Sequence, residues 1–213
     1  MVFRLEKIIP LPMLEIPTMG SDIWEAESFI FESGQKYLVE AASGKGKTSL
    51  LSILYGLRKD YRGSFFIDNK KANELGLKDW ALLRKEKISF IFQGLELFED
   101  LTAMENILLK NRISNFKSQQ EITSLAEKMD VAPFLKKKSG LLSYGQKQRV
   151  AIIRSLCQPF QYLFADECFS HIDKKNSSTA MDAITEECEK QGAGLILTSL
   201  GNNHHEFHHR IRI

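Results

Sequence analysis

The stretch Tyr37-Leu38-Val39-Glu40-Ala41-Ala42-Ser43-Gly44-Lys45-Gly46-Lys47-Thr48-Ser49-Leu50-Leu51 leaves this chain few choices of fold. A short apolar run leads into a loop of small residues. Gly-Lys-Thr follows, and then the helical spacing of Leu50, Leu51, Ile53, Leu54 and Leu57. Strand, small-residue loop and helix, in that order, are the setting of a phosphate-binding loop. Backbone N–H groups must turn inward to meet phosphate oxygens, so the side chains there must be small. The new helix points its positive end at the same oxygens. Ala41, Ala42, Ser43, Gly44, Lys45, Gly46, Lys47, Thr48 and Ser49 are therefore the candidate nucleotide-binding set. Lys47 would reach the β/γ-phosphates and the Thr48 hydroxyl would ligate Mg²⁺. The loop pattern asks for glycine where Ala41 stands, and alanine resists positive φ.

Around this loop the sequence predicts strands at Val2 to Ile9, Ser28 to Phe31, Arg62 to Asp68, Lys87 to Phe92, Gln161 to Ala165 and Gly194 to Thr198. Helical spacing marks Leu77 to Glu86, most of Thr102 to Leu156, and Ser177 to Lys190. Strands alternating with helices argue for a parallel α/β sheet interrupted by a helical insertion.

A second motif is Tyr162-Leu163-Phe164-Ala165-Asp166-Glu167, an apolar strand ending in two acids. An acid there lies at the carboxyl end of a core strand, where open α/β sheets bind ligands. Asp166 would hold Mg²⁺ through water, and Glu167 would polarise an attacking water as general base.

A third motif is Leu142-Ser143-Tyr144-Gly145-Gln146-Lys147-Gln148-Arg149, ahead of a helix expected to begin near Val150. With it the chain resembles a nucleotide-binding subunit of the ATP-binding cassette (ABC) family, whose signature is L-S-G-G-Q followed by x-Q-R. Tyr144 replaces the first glycine. Phe92-Gln93 resembles that family's Q-loop, and Ser170-His171-Ile172-Asp173 its D-loop. The resemblance implies a P-loop NTPase fold with an antiparallel β-subdomain and an inserted helical subdomain. It implies a single domain, with core at 1–93 and 159–213 and helical subdomain at about 94–158. It implies that Gln93 reaches Mg²⁺, and that Ser143, Tyr144, Gly145, Gln146 and Asp173 act on ATP held by a partner subunit.

The implied function is ATP hydrolysis with ATP and Mg²⁺, in a homodimer or heterodimer that closes on ATP and drives a separate membrane permease. The absence of a C-terminal extension resembles the compact lipoprotein-release and cell-division branch. No apolar run is long enough to span a bilayer, and charged residues with Pro10 and Pro12 near the start do not read as a signal peptide. The expected location is the cytoplasm, at the inner face of the membrane through the permease. Cys157, Cys168 and Cys188 show neither disulfide nor metal spacing, which fits a reducing compartment. A net charge of +2 makes no case for a nucleic-acid partner.

Two departures matter. Where the family has a histidine after the last core strand, this chain has Ser199. A hydroxyl can bond a phosphate oxygen but is shorter and carries no charge. Between Ile8 and Leu14 no aromatic stands ready to stack on adenine, and Trp24 is out of register for that role. A hydrolysis-poor, nucleotide-gated assembly subunit is thus a second reading. Intact Lys47, Asp166 and Glu167 favour an active ATPase over it. His205-Glu206-Phe207-His208-His209 also matches H-E-x-x-H, which binds zinc only on a helix lining a cleft with a further ligand. Adventitious metal binding by i, i+4 histidines is a second reading of that stretch, a solvated surface helix is the plainer one, and a swung-in His204 standing in for the family's missing histidine is a further one.

Overall fold

The computed structural model describes residues 1–170, 172–201 and 205–213. Two sheets form. One is antiparallel, in the order β2 (Ser28–Phe31), β1 (Phe3–Pro10), β4 (Tyr61–Ile67), β5 (Lys70–Lys71). The other holds five parallel strands, in the order β6 (Ile88–Ile91), β7 (Tyr162–Asp166), β8 (Gly194–Ser199), β3 (Lys36–Glu40), β9 (His209–Arg212). Among the described residues there are six α-helices: α1 (Lys47–Leu54), α2 (Leu77–Glu86), α3 (Ala103–Ser114), α4 (Gln119–Lys128), α5 (Tyr144–Leu156) and α6 (Lys174–Gln191). The three between β6 and β7 form the helical insertion.

Strands β6, β7 and β8 and the middle of β3 are largely apolar because both of their faces are buried, whereas β9 buries only Ile211. Their period of two sorts side chains between two cores. Leu38, Leu163, Ala165, Leu195 and Leu197 face α3 to α6. Tyr37, Val39, Tyr162, Phe164 and Ile196 face the antiparallel sheet and α1. Phe3 of β1 meets Tyr162 with ring centroids 4.8 Å apart, and the Tyr162 hydroxyl donates to the Phe31 carbonyl at 2.9 Å. Two packed layers thus hold the carboxyl ends of β3, β8, β7 and β6 along one edge.

Three elements depart from sequence expectation. Helix α5 begins at Tyr144, not near Val150, because Ser143 caps it and Gln146 closes a capping box. Helix α6 begins at Lys174, three residues before the predicted start, with Asp173 as its cap. The last sheet strand is β9 rather than β8. His209 lies in β9 and stacks on Tyr37 at 4.7 Å, so the predicted surface helix over His205 to His209 is corrected to a bend and strand. His208 accepts from the Lys36 backbone N–H at 3.1 Å, so the H-E-x-x-H match has no helix to stand on. His204 lies outside the described residues.

Candidate nucleotide site

The loop from Ala41 to Gly46 joins β3 to α1. Gly46 caps α1 at φ 95°, and a Cβ there would sit 2.3 Å from the Met13 sulfur. Only glycine tolerates both conditions. Beneath it, Trp24 is buried and donates its indole N–H to the Lys45 carbonyl at 3.2 Å. It forms part of the floor of the loop rather than a stacking surface. Ala41 adopts no positive φ, so the missing glycine costs no strain there. Its N–H reaches the Ser199 carbonyl at 3.4 Å, tying the loop to β8.

A cleft of about 290 Å³ opens over this loop, lined by Pro12, Ile16, Gly44, Thr48 and Arg58 among others. Lys47 points into the site although only 4% of its side chain is exposed. Its ammonium donates to the carbonyls of Ala41 at 2.8 Å and Ala42 at 3.1 Å, and lies 3.2 Å from Oε1 of Glu167. A buried cation needs such partners, because stripping its hydration is costly. Ser49 accepts from Arg58 at 2.6 Å, and the Lys45 ammonium donates to the Pro17 carbonyl at 3.3 Å.

The two acids follow at the end of β7. Asp166 is 1% exposed. Burial raises its carboxyl above the ordinary range, opposed by hydrogen bonds from Thr198 and Thr48. Glu167 sits at φ 46°, a left-handed backbone that costs about 1–3 kcal/mol and clusters at functional sites. The strain is held by Thr198. Its hydroxyl donates to Asp166 at 2.7 Å and accepts from the Glu167 backbone N–H at 3.1 Å. Sequence reasoning assigned Thr198 no role. The signal was there: a hydroxyl directly after the apolar run of β8, paired in register with Asp166. Gln93 completes the group, its carboxamide donating to Oε2 of Glu167 at 3.2 Å.

Lys47, Thr48, Gln93, Asp166 and Glu167 are therefore brought together. Backbone donors, a fixed cation, hydroxyls and two carboxylates suit a polyphosphate with a divalent cation. The remaining candidates make other contacts. Ser143 and Gln146 cap one another, with the Ser143 N–H donating to Gln146 at 3.0 Å and Gly145 between them. The Tyr144 hydroxyl donates to the Gln93 carbonyl of its own chain at 3.2 Å. Asp173 accepts from the Asn176 N–H and carboxamide at 3.0 and 2.6 Å, which holds its carboxyl below the usual range. The Ser199 hydroxyl bonds the Gly201 backbone at 3.2 Å. It lines, with Glu167, a neighbouring cavity of about 640 Å³.

A glycine-capped loop at the carboxyl edge of a parallel sheet, with a buried lysine facing a strand-end acid pair, defines a P-loop NTPase. Residues 25–170 match the ABC transporter family, and the chain belongs to that family. It is 31% identical, over 90% of its length and 86% of the relative's, to the lipoprotein-releasing system ATP-binding protein LolD of Aquifex aeolicus (strain VF5). It is also 31% identical to the macrolide export ATP-binding/permease protein MacB of Shewanella sp. (strain ANA-3), over 78% of this chain but 26% of that relative. Among solved structures it is similar to the dimeric post-hydrolysis state of the ATP-binding cassette MJ0796 bound to ADP and Pi. That likeness has a TM-score of 0.75 and 28% identity, covering 94% of this chain and 88% of the other. The chain is an ATP-binding ATPase of the ABC transporter class.

Proposed function

We propose that this chain is the motor subunit of a membrane transporter. It binds Mg²⁺-ATP, closes as a dimer on it, and drives a separate permease by hydrolysis. The observation that carries this reading is the convergence of Lys47, Gln93 and Glu167 within 3.2 Å contacts at the sheet's carboxyl edge. Residues 41–49 hold the phosphates. Lys47 neutralises charge developing on the transferred group, which is most of what phosphoryl transfer asks of a protein. Glu167 orients water and takes its proton. Thr48, Gln93 and Asp166 are the oxygen donors for Mg²⁺, a hard cation that prefers a carboxylate, a hydroxyl and waters.

The one-domain reading keeps residues 94–158 as a helical subdomain on the core. Ser143, Gly145, Gln146 and Asp173 belong to the face that meets the partner subunit's nucleotide. The position of Ser143, Gly145 and Gln146 at the start of α5 suits that role, because a helix N-terminus favours an anion. No helix among the described residues is long and apolar enough to cross a membrane, and in this reading the permease supplies the transport path. The MacB relative, whose name joins ATP-binding and permease functions, supports that partnership. Phe98, Leu109 and Ile113 expose apolar surface just beyond Gln93 and along α3, where a permease segment would dock. In this reading the subunit works at the cytoplasmic face of the membrane.

Steady-state Mg²⁺-ATPase activity of wild type and Glu167→Gln tests the proposal. Turnover abolished by the substitution supports it, and turnover that survives sinks the assignment of Glu167. The nucleotide-gated, barely hydrolysing alternative raised by Ser199 has no support among the relatives.

A further inference from the structure

Tyr144 occupies a position where the signature pattern has glycine, and it is the first residue of α5. Its hydroxyl donates to the Gln93 main-chain oxygen at 3.2 Å. The Gln93 carboxamide in turn donates to Oε2 of Glu167 at 3.2 Å. The other oxygen of Glu167 faces Lys47 at 3.2 Å, and Lys47 is bonded back onto its own loop. A continuous run of polar contacts thus leads from α5 to the phosphate loop within one subunit. The far end of α5 grips the same segment. Buried Arg154 donates to the carbonyls of Leu95 and Glu96 at 2.6 and 2.5 Å. Those two residues are at φ 61° and 50°, a kink that fixes how the chain leaves Gln93.

In this arrangement both oxygens of Glu167 are engaged and the Lys47 ammonium is taken up by protein oxygens. An incoming triphosphate must draw Lys47 away, so whatever stabilises the contact run weakens nucleotide binding. A glycine at 144 would leave Gln93 without this tether. We propose that Tyr144 is a positioning residue acting within its own subunit, holding Gln93 against Glu167 and thereby favouring the resting contacts that ATP displaces. The inference rests on the reading of Lys47 and Glu167 as nucleotide-site groups. A half-exposed neutral hydrogen bond sets the size of the effect at about two- to tenfold in affinity.

The test is equilibrium binding of a non-hydrolysable ATP analogue with Mg²⁺ to the full chain, by calorimetry. The proteins are wild type, Tyr144→Phe, Gln93→Ala and the double variant, with thermal unfolding as a check on folding. Both positions are exposed, and Tyr144→Phe keeps the ring. The expected result is tighter binding, about two- to tenfold, for Tyr144→Phe. The double variant should bind no more tightly than Gln93→Ala alone. The tyrosine's bond to the main-chain oxygen survives in Gln93→Ala, but no carboxamide is left to position. Unchanged or weaker binding by Tyr144→Phe overturns the proposal. So does a Tyr144 effect that persists in the Gln93→Ala background, as a direct contact with a partner subunit's nucleotide would give. Lys47→Ala separates the two levels. If it binds as wild type does, the site reading fails and the inference with it, whereas failure confined to Tyr144 leaves the site standing.

Discussion

The Lys47 ammonium lies 3.2 Å from Oε1 of Glu167, with 4% and 14% of the two side chains exposed. The proposed phosphate-binding cation and the proposed general base hold each other at the carboxyl edge of the sheet. Glu167→Gln should remove the base but keep the shape, lowering kcat by about 10²–10⁴-fold while ATP still binds. Lys47→Ala should instead lose nucleotide affinity. Parallel binding and turnover measurements check both, and an equal loss of binding in the two variants would count against the division of roles.

Ser199 spends its hydroxyl on the Gly201 turn, while lining the same cavity as Glu167. Ser199→His should place an imidazole there and raise the ATPase rate by up to about 10²–10³-fold, the usual worth of one positioned polar contact. A rate no higher than wild type in steady-state assays would show that Ser199 does not limit turnover.

Asp166 carries a pH signature. Burial raises its carboxyl above the ordinary range, so the ionised form costs the fold free energy. That cost is absent below the unfolded pKa of about 3.9 and grows as pH rises through the folded value. Without Mg²⁺, Asp166→Asn should therefore be more stable than wild type at pH 8, with the gap closing toward pH 4. Urea unfolding across that range reads it directly, and a gap independent of pH would rule the account out.

Arg154 fastens α5 to the kink after Gln93 through two carbonyls while 8% exposed. Arg154→Met should destabilise the chain by about 3 kcal/mol, the worth of two charge-assisted bonds and a released strained turn. Denaturant midpoints measure this, and a loss under about 0.5 kcal/mol would mean the kink holds by itself.

Burial pushes the thiols of Cys157 and Cys188 up to about 12, and that of Cys168 further in the same direction. A buried neutral thiol is a poor nucleophile. A disulfide-exchange reagent at pH 8 should therefore label the folded chain only as fast as it unfolds. Rapid labelling of any one cysteine would reveal local opening there.

Much of this protein was written locally. The apolar runs gave β3, β6, β7 and β8, because strands buried on both faces admit few other residue types. The small-residue loop before Lys47, and the acids after Ala165, named the centre of the site without any fold in hand. Strand β9 escaped notice because only Ile211 of its four residues is buried, so it carries no alternation to read. The start of α5 was misplaced because polar residues 144–149 hid a helix announced only by the Ser143 cap. Alanine at 41 looked like a defect, yet its backbone never needs the left-handed region.

Residue order alone dictates the chemistry available: a loop of small residues running into Lys47, two adjacent acids and a glutamine after a strand. Which of these touch is settled by how the sheet is ordered and packed. The sheet order sets β8 between β3 and β7, which lets Thr198 hold Asp166 and Glu167 in their strained corner. It also turned Tyr144, in a stretch read as facing a partner, onto Gln93 of its own chain. Contacts between residues so far apart along the chain depend on how two cores pack around one sheet. That is a property of the whole fold, and no local pattern encodes it.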